Sequence, residues 1–165
     1  MKLIQRANKG RGLETAVLAS AGSLIRVTKI GHMVKYLAGG KTVAQPSPPD
    51  FIGCVTANGR MIAFDAKECA DEKRWPINPW LNSRRHQYQF LSAYALDGAI
   101  AGLLVESKAK GRYFWLDVLA AENHAFHEGQ ASIPWDHRRW IDLGPTTHAI
   151  QFQNIPGVLP PRAVL

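Results

Sequence analysis

The sequence predicts an α/β domain built on a central mixed sheet. Three observations carry that expectation. Helical and strand-like hydrophobic periods follow one another in the order helix, strand, hairpin, helix, strand, strand. The two hairpin arms flank an Asn-Gly pair, and no linker, repeat or low-complexity tract divides the 165 residues. Residues 1–165 therefore read as one domain, long enough to bury a core without disulfides or a structural metal.

A first helix is expected over Arg11–Ala21, with Leu13, Val17, Leu18 and Ala21 on one stripe and Gly22 stopping it. Residues 24–30 read as a strand. Residues 31–49, which include Gly39, Gly40, Pro46, Pro48 and Pro49, read as a connecting excursion with a mobile tip. The short apolar runs 51–56 and 61–66, on either side of Asn58 and Gly59, are a hairpin signal. A helix over 83–96 is closed by Asp97 and Gly98, and a buried strand follows over 100–105. After a turn at Lys110 and Gly111 comes a strand over 113–118, then a helical stretch over 119–128. The Trp-rich and Pro-rich tail beyond it carries no assignable pattern.

Charge narrows the function. A formal net charge of +7 and a pI near 9.7 predict attraction to a polyanion, and nucleic acid is the commonest one inside cells. The basic start of the chain lacks the apolar core of a secretory signal, and the longest apolar stretch, 99–105, is too short to span a bilayer. A cytoplasmic protein is expected. The two cysteines, Cys54 and Cys69, form no CxxC pair, so neither a zinc site nor a disulfide framework is expected. Cys69 is read as structural although it lies two residues past Lys67.

Cations for phosphate contact are sought in four clusters. The residues expected to touch DNA are Lys9, Arg11, Lys73, Arg74, Arg84 and Arg85, and Arg138 and Arg139 form the last group. No base-reading motif is present, so backbone and shape would be recognised, with binding that weakens steeply as salt rises. Trp75, Trp80 and Trp135 are read as core in preference to base-stacking platforms. His124 and His127 lack a third ligand at a useful spacing and are assigned no metal.

The hairpin brings chemistry together. If Asn58 and Gly59 form a two-residue loop, Asp50 faces Lys67 and Ile52 faces Asp65. Alternation along strands then puts Asp50, Asp65 and Lys67 on one face at the open end. Two carboxylates there can jointly hold a hard cation such as Mg²⁺. The lysine can lower the pKa of a bound water or neutralise charge developing on a phosphate. The plain alternative is a cross-strand salt bridge. Against it, Phe64 and Ala66 set Asp65 within an apolar strand, where a charge is costly unless it has a task or a partner.

These residues resemble the PD-(D/E)xK nucleases, and within them the RecU-type Holliday junction resolvases. Pro49 and Asp50 resemble the PD; Asp65, Ala66 and Lys67 resemble the (D/E)xK, inside Phe64-Asp65-Ala66-Lys67-Glu68. Arg11, Gly12, Leu13 and Glu14 resemble the Arg-Gly and following glutamate of the family's first helix. His86 and Gln87 resemble the His-Gln that opens the helix after the catalytic strand. Asp97-Gly98, the strand ending near Tyr113 to Leu116, and Ser132-Ile133-Pro134 extend the match over most of the chain.

The resemblance implies a restriction-endonuclease-like core and a metal-dependent endonuclease acting on four-way junction DNA as a homodimer. It implies Asp50 and Asp65 as ligands of Mg²⁺, or of Mn²⁺ in its place, with Lys67 assisting the attacking water. Glu14 and Gln87 would support the site. The sequence departs from the family in two places. Only residues 31–49 are available for the stalk that enters the junction, which favours flap, nicked or duplex DNA as alternative substrates. Asp65 stands where RecU-like sequences usually have Glu, a shorter side chain that still ligates. A basic DNA-binding protein without catalysis is the third reading.

Overall fold

Strand-forming runs from both ends of the chain assemble into one six-stranded mixed sheet of order β1-β4-β5-β7-β8-β10. A computed structural model describes residues 11–31, 34–36, 42–44, 48–83 and 85–159. The strands are β1 (Ile25–Lys29), β4 (Phe51–Val55), β5 (Met61–Cys69), β7 (Ile100–Ser107), β8 (Arg112–Asp117) and β10 (Ile141–Pro145). Every neighbouring pair is antiparallel except β5 and β7, which run parallel. Two short ribbons lie outside the sheet: β2 (Val34–Tyr36) with β3 (Thr42–Ala44), and β6 (Arg74–Pro76) with β9 (Ser132–Pro134).

The helix α1 has the expected bounds, Arg11–Ala21. Leu13, Val17 and Ala21 recur every fourth residue and are buried. Leu18 is half exposed instead, because it sits about 100° round the helix from Val17. With α1 on this face of the sheet pack Ile25, Phe51, Val55, Ile62, Phe64, Leu104, Trp115 and the tail residues Ile150, Phe152, Ile155 and Val158.

The opposite face is covered by the parallel crossover. Between β5 and β7 the chain forms β6, α2 (Asn78–Ser83) and α3 (Arg85–Leu96). The helix expected over 83–96 is α3; α2 was missed, although Asn78-Pro79 is a helix-start signal. On this face Leu91, Ala63, Leu103, Val105 and Leu116 join an aromatic group of Trp75, Trp80, Phe114, Trp135 and Trp140. All three tryptophans read as core are buried. Strand β7 has every residue buried, as a strand covered on both faces must. It runs two residues beyond the expected end.

The expected last helix is α4 (Val118–Glu122), capped by the Asp117 carboxylate, which accepts from the Leu119 and Ala120 N–H groups. Its continuation widens into a π-helical turn, Asn123–His127. Buried His124 sits in that turn, with Nε2 3.1 Å from the Ser132 carbonyl and Nδ1 3.0 Å from Glu128.

Candidate active site

Strand alternation and register set the site. Ile52 lies opposite Ala63 and Phe51 opposite Phe64, so Asp50, one step beyond the ladder, comes to Asp65. The expected register is therefore two residues out: Asp50 does not face Lys67, nor Ile52 Asp65. Residues 56–59 make a four-residue loop, closed by the Val55 N–H to the Arg60 carbonyl and by the Arg60 N–H to Asn58 Oδ1. Gly59, at φ +69°, supplies the left-handed position that the closure needs. A two-residue slip preserves the side-chain period of two, which is why Asp50, Asp65 and Lys67 still share a face.

Their contacts are close. Lys67 Nζ lies 2.5 Å from Asp65 Oδ2 and 3.6 Å from Asp50 Oδ2. The Ala66 N–H donates to Asp50 Oδ2 at 2.9 Å. Asp65 is fully buried, and its Oδ1 has no hydrogen-bond partner among the described residues. Its Oδ2 meets the ammonium as an ion pair without hydrogen-bond geometry. Two carboxyl groups thus confront one ammonium.

Burial pushes the Asp65 carboxyl up to about 7 against the pull of Lys67, and neighbouring Asp50 adds to the rise. For Asp50 burial also opposes ionisation, but it is outweighed. The neighbouring Asp65 carboxyl, the Lys67 charge and the Ala66 N–H hold Asp50 below the ordinary carboxylate range. One acid is kept ionised and its partner is kept close to neutral.

Glu14 and Lys67 line one cavity of about 430 Å³ at the carboxyl end of β5, together with Glu68, Cys69 and Lys108. Ligand crevices of open α/β sheets lie at such strand ends. Glu14 is held by Lys29 at 2.5 Å and makes no hydrogen bond to Asp50 or Asp65. Gln87 is buried on α3, which covers the face of β5 that carries Asp65, and its Oε1 is unpartnered. The solvated-face alternative for Gln87 is excluded.

Among the DNA-contact candidates, Lys73, Arg74 and Arg85 are exposed. Lys73 and Arg74 flank the loop just past β5. Arg85 lines a separate groove with Tyr88 and Phe126 and is not brought to the cavity. Lys9 and Arg84 lie outside the described residues, as does the side chain of Arg11. Within the expected excursion, residues 34–36 and 42–44 pair as a ribbon, and its expected mobile tip lies outside the described residues. Cys54 and Cys69 are free thiols, and burial raises the Cys69 pKa, which fits a structural role.

Lys29 and Lys108 escaped the sequence reading. Lys29 ends the first sheet strand, where the following Ile30 N–H donates to the Asp50 carbonyl. Lys108 reaches the cavity because β7 runs parallel to β5, a pairing that no local pattern announces.

The donor set fits a hard cation. Asp65 Oδ1 is a buried carboxylate oxygen without a partner, and Asp50 stands beside it with its charge retained. Among the described residues no group of three His, Cys, Asp or Glu side chains is arranged to hold a metal. No curated protein matches the chain. A family model described as "Recombination protein U" matches residues 8–152, which takes in α1, the hairpin, the crossover and the last sheet strand. A six-stranded mixed sheet flanked by helices, with the PD and DxK positions meeting at one strand end, agrees with that match, and the chain belongs to the RecU family, whose members are Holliday junction resolvases of recombination.

Proposed function

We propose that the protein is a Mg²⁺-dependent endonuclease that resolves four-way DNA junctions, with Mn²⁺ able to substitute. The observation that carries this reading is the buried Asp65 carboxylate, left with an unpartnered oxygen beside Asp50 and Lys67. Asp50 and Asp65 would hold the cation, which supplies Lewis acidity toward the scissile phosphate and a water of lowered pKa. Lys67, which stands against both carboxyl groups, would orient the attacking water and balance charge growing on the phosphate. Gln87 Oε1, left without a partner, would accept a hydrogen bond from that water, and Glu14 bounds the cavity on the α1 side. Lys73 and Arg74 contact the phosphate backbone, as does Arg85 where the DNA arm extends past α3.

Resolution needs two symmetry-related cuts, and a chain with one site achieves this most simply as a twofold homodimer. A DNA-processing enzyme of this kind works in the cytoplasm of a bacterial or phage-infected cell. The short 31–49 segment favours a second reading in which the same chemistry acts on flaps, nicks or duplex. A purely DNA-binding role leaves the orphaned Asp65 oxygen unexplained.

The test is cleavage of a labelled four-way junction beside linear duplex and flap DNA of matching sequence, in Mg²⁺, Mn²⁺ or EDTA, by wild type and Asp65→Asn. Paired nicks in the junction alone, dependent on metal and lost in the variant, are expected. Cutting of the other substrates instead would replace the junction with a broader specificity, and tight binding with no cutting would leave the non-catalytic reading.

A further inference from the structure

Past Ser107 the chain turns at residues 108–111 before re-entering the sheet as β8. The turn is fastened to the carboxyl end of β5, where the Lys108 N–H donates to the Cys69 carbonyl at 2.8 Å. Its two lysines border different cavities. Lys108 lines the cavity that holds Glu14 and Lys67. Lys110 lines a second one of about 420 Å³, with Lys73 and Arg112.

Lys108 is held in place. Its Nζ lies 2.6 Å from Glu106 Oε1 and 3.6 Å from Glu68 Oε1, and Glu106 is nearly buried. A solvated lysine needs no such partner, and desolvating a glutamate is costly. The arrangement fixes the Lys108 ammonium, between two carboxylates, on the wall of the cavity that also holds Lys67. Lys73 and Lys110 are exposed and make no side-chain ion pair among the described residues. Arg112 is tied to Asp142 at 2.6 Å. Glu72 and Asp136 border the second cavity, and neither forms an ion pair with Lys73 or Lys110 among the described residues.

We propose that this turn is a backbone-binding track leading away from the reacting phosphodiester. Lys108 takes the phosphate next to the scissile one, Lys110 with Lys73 takes the phosphates beyond it, and Glu106 positions Lys108. The inference rests on the nuclease reading above and adds the path of the DNA strand. Lysine suits the task as a point charge that meets phosphate without reading sequence.

The experiment is binding of a labelled four-way junction in EDTA, where no strand is cut, across a salt series from roughly 50 to 200 mM. Wild type is compared with Lys108→Ala, Lys110→Ala and Lys108→Arg, each checked for folding by thermal melting. Each alanine variant should lower the slope of log K against log salt by about 0.9, the share of one phosphate contact, and the arginine variant should keep it. Lys110 makes no side-chain ion pair among the described residues, so its variant carries the test if Lys108→Ala does not fold. Glu106→Gln should weaken binding in wild type and leave Lys108→Ala unchanged; equal losses in both backgrounds would overturn the positioning role. Folded alanine variants with the wild-type slope would overturn the track while leaving the nuclease reading intact. A wild-type protein with no salt-dependent junction binding would overturn both.

Discussion

At the scale of single residues, Asp65 couples stability to proton uptake. Its folded-state pKa is raised by burial to about 7, above the unfolded value of 3.8, so the folded protein holds a proton that the unfolded chain releases. The stability from this group is fully present below about pH 4 and is lost as pH rises toward 7. Asp50 acts in the opposite sense, but only below its ordinary value, outside that window. His137, whose pKa burial lowers, acts oppositely inside that window, so the thermal midpoint in EDTA should fall more, or rise less, between pH 4 and pH 7 in wild type than in Asp65→Asn. An unchanged profile in the variant would remove Asp65 as the cause. Lys67 has a separate signature. Lys67→Met should lower kcat for junction cleavage by about 10²- to 10³-fold, the scale of losing one electrostatic stabiliser of the transition state. Junction affinity in EDTA should change far less, and a loss seen only in binding would move Lys67 from chemistry to docking.

At the scale of elements, the β1–β4–β5 unit holds the site together, and it contains little free space. A Cβ on Gly53 would stand 1.8 Å from the Arg26 carbonyl oxygen and 2.7 Å from Val27 Cα, both backbone atoms of the paired strand. Gly53→Ala must push β1 away from β4, at a cost of about 1–3 kcal/mol. Each kcal/mol lowers the melting temperature of a chain this size by about 2–4 °C. Calorimetry reads that shift, and because Ile30 bonds the Asp50 carbonyl, cleavage should fall with it. The hairpin also shows what a sequence period transmits. Asn58 and Gly59 announced a turn, and the parity of the strands put Asp50, Asp65 and Lys67 on one face. Loop length was not legible, because it depends on Asn58 bonding both the Arg60 N–H and the distant Gly157 carbonyl. Asp50, Asp65 and Lys67 share a face all the same, because a slip of two residues leaves parity unchanged.

At the scale of the whole molecule, the tail is part of the core. Phe152 is fully buried and packs 6.1 Å, centroid to centroid, from Phe64, the residue before Asp65. Phe152→Ala should cost about 3–5 kcal/mol, measured by denaturant unfolding, and should loosen the strand that presents Asp65. A near-neutral result would show that the tail only decorates the sheet. The aromatic group on the other face ties the ribbon of β6 and β9 to the crossover. Trp135 donates to the Asp71 carbonyl and Trp140 to the Pro134 carbonyl.

Local information was enough for α1, the hairpin, the buried strands, the positive charge and the grouping of Asp50, Asp65 and Lys67, because periods of 3.6 and 2 and the turn chemistry of Asn-Gly act over a few residues. The family could be read for the same reason, since its motifs are short and ordered along the chain. Only the tertiary structure decided that β7 runs parallel beside β5, that Gln87 is buried on the site's face and that Lys108 lines the same cavity as Glu14. It also decided that the tail completes the core. Those are contacts between residues far apart in sequence, selected by packing and desolvation over the whole chain, and no local pattern encodes them.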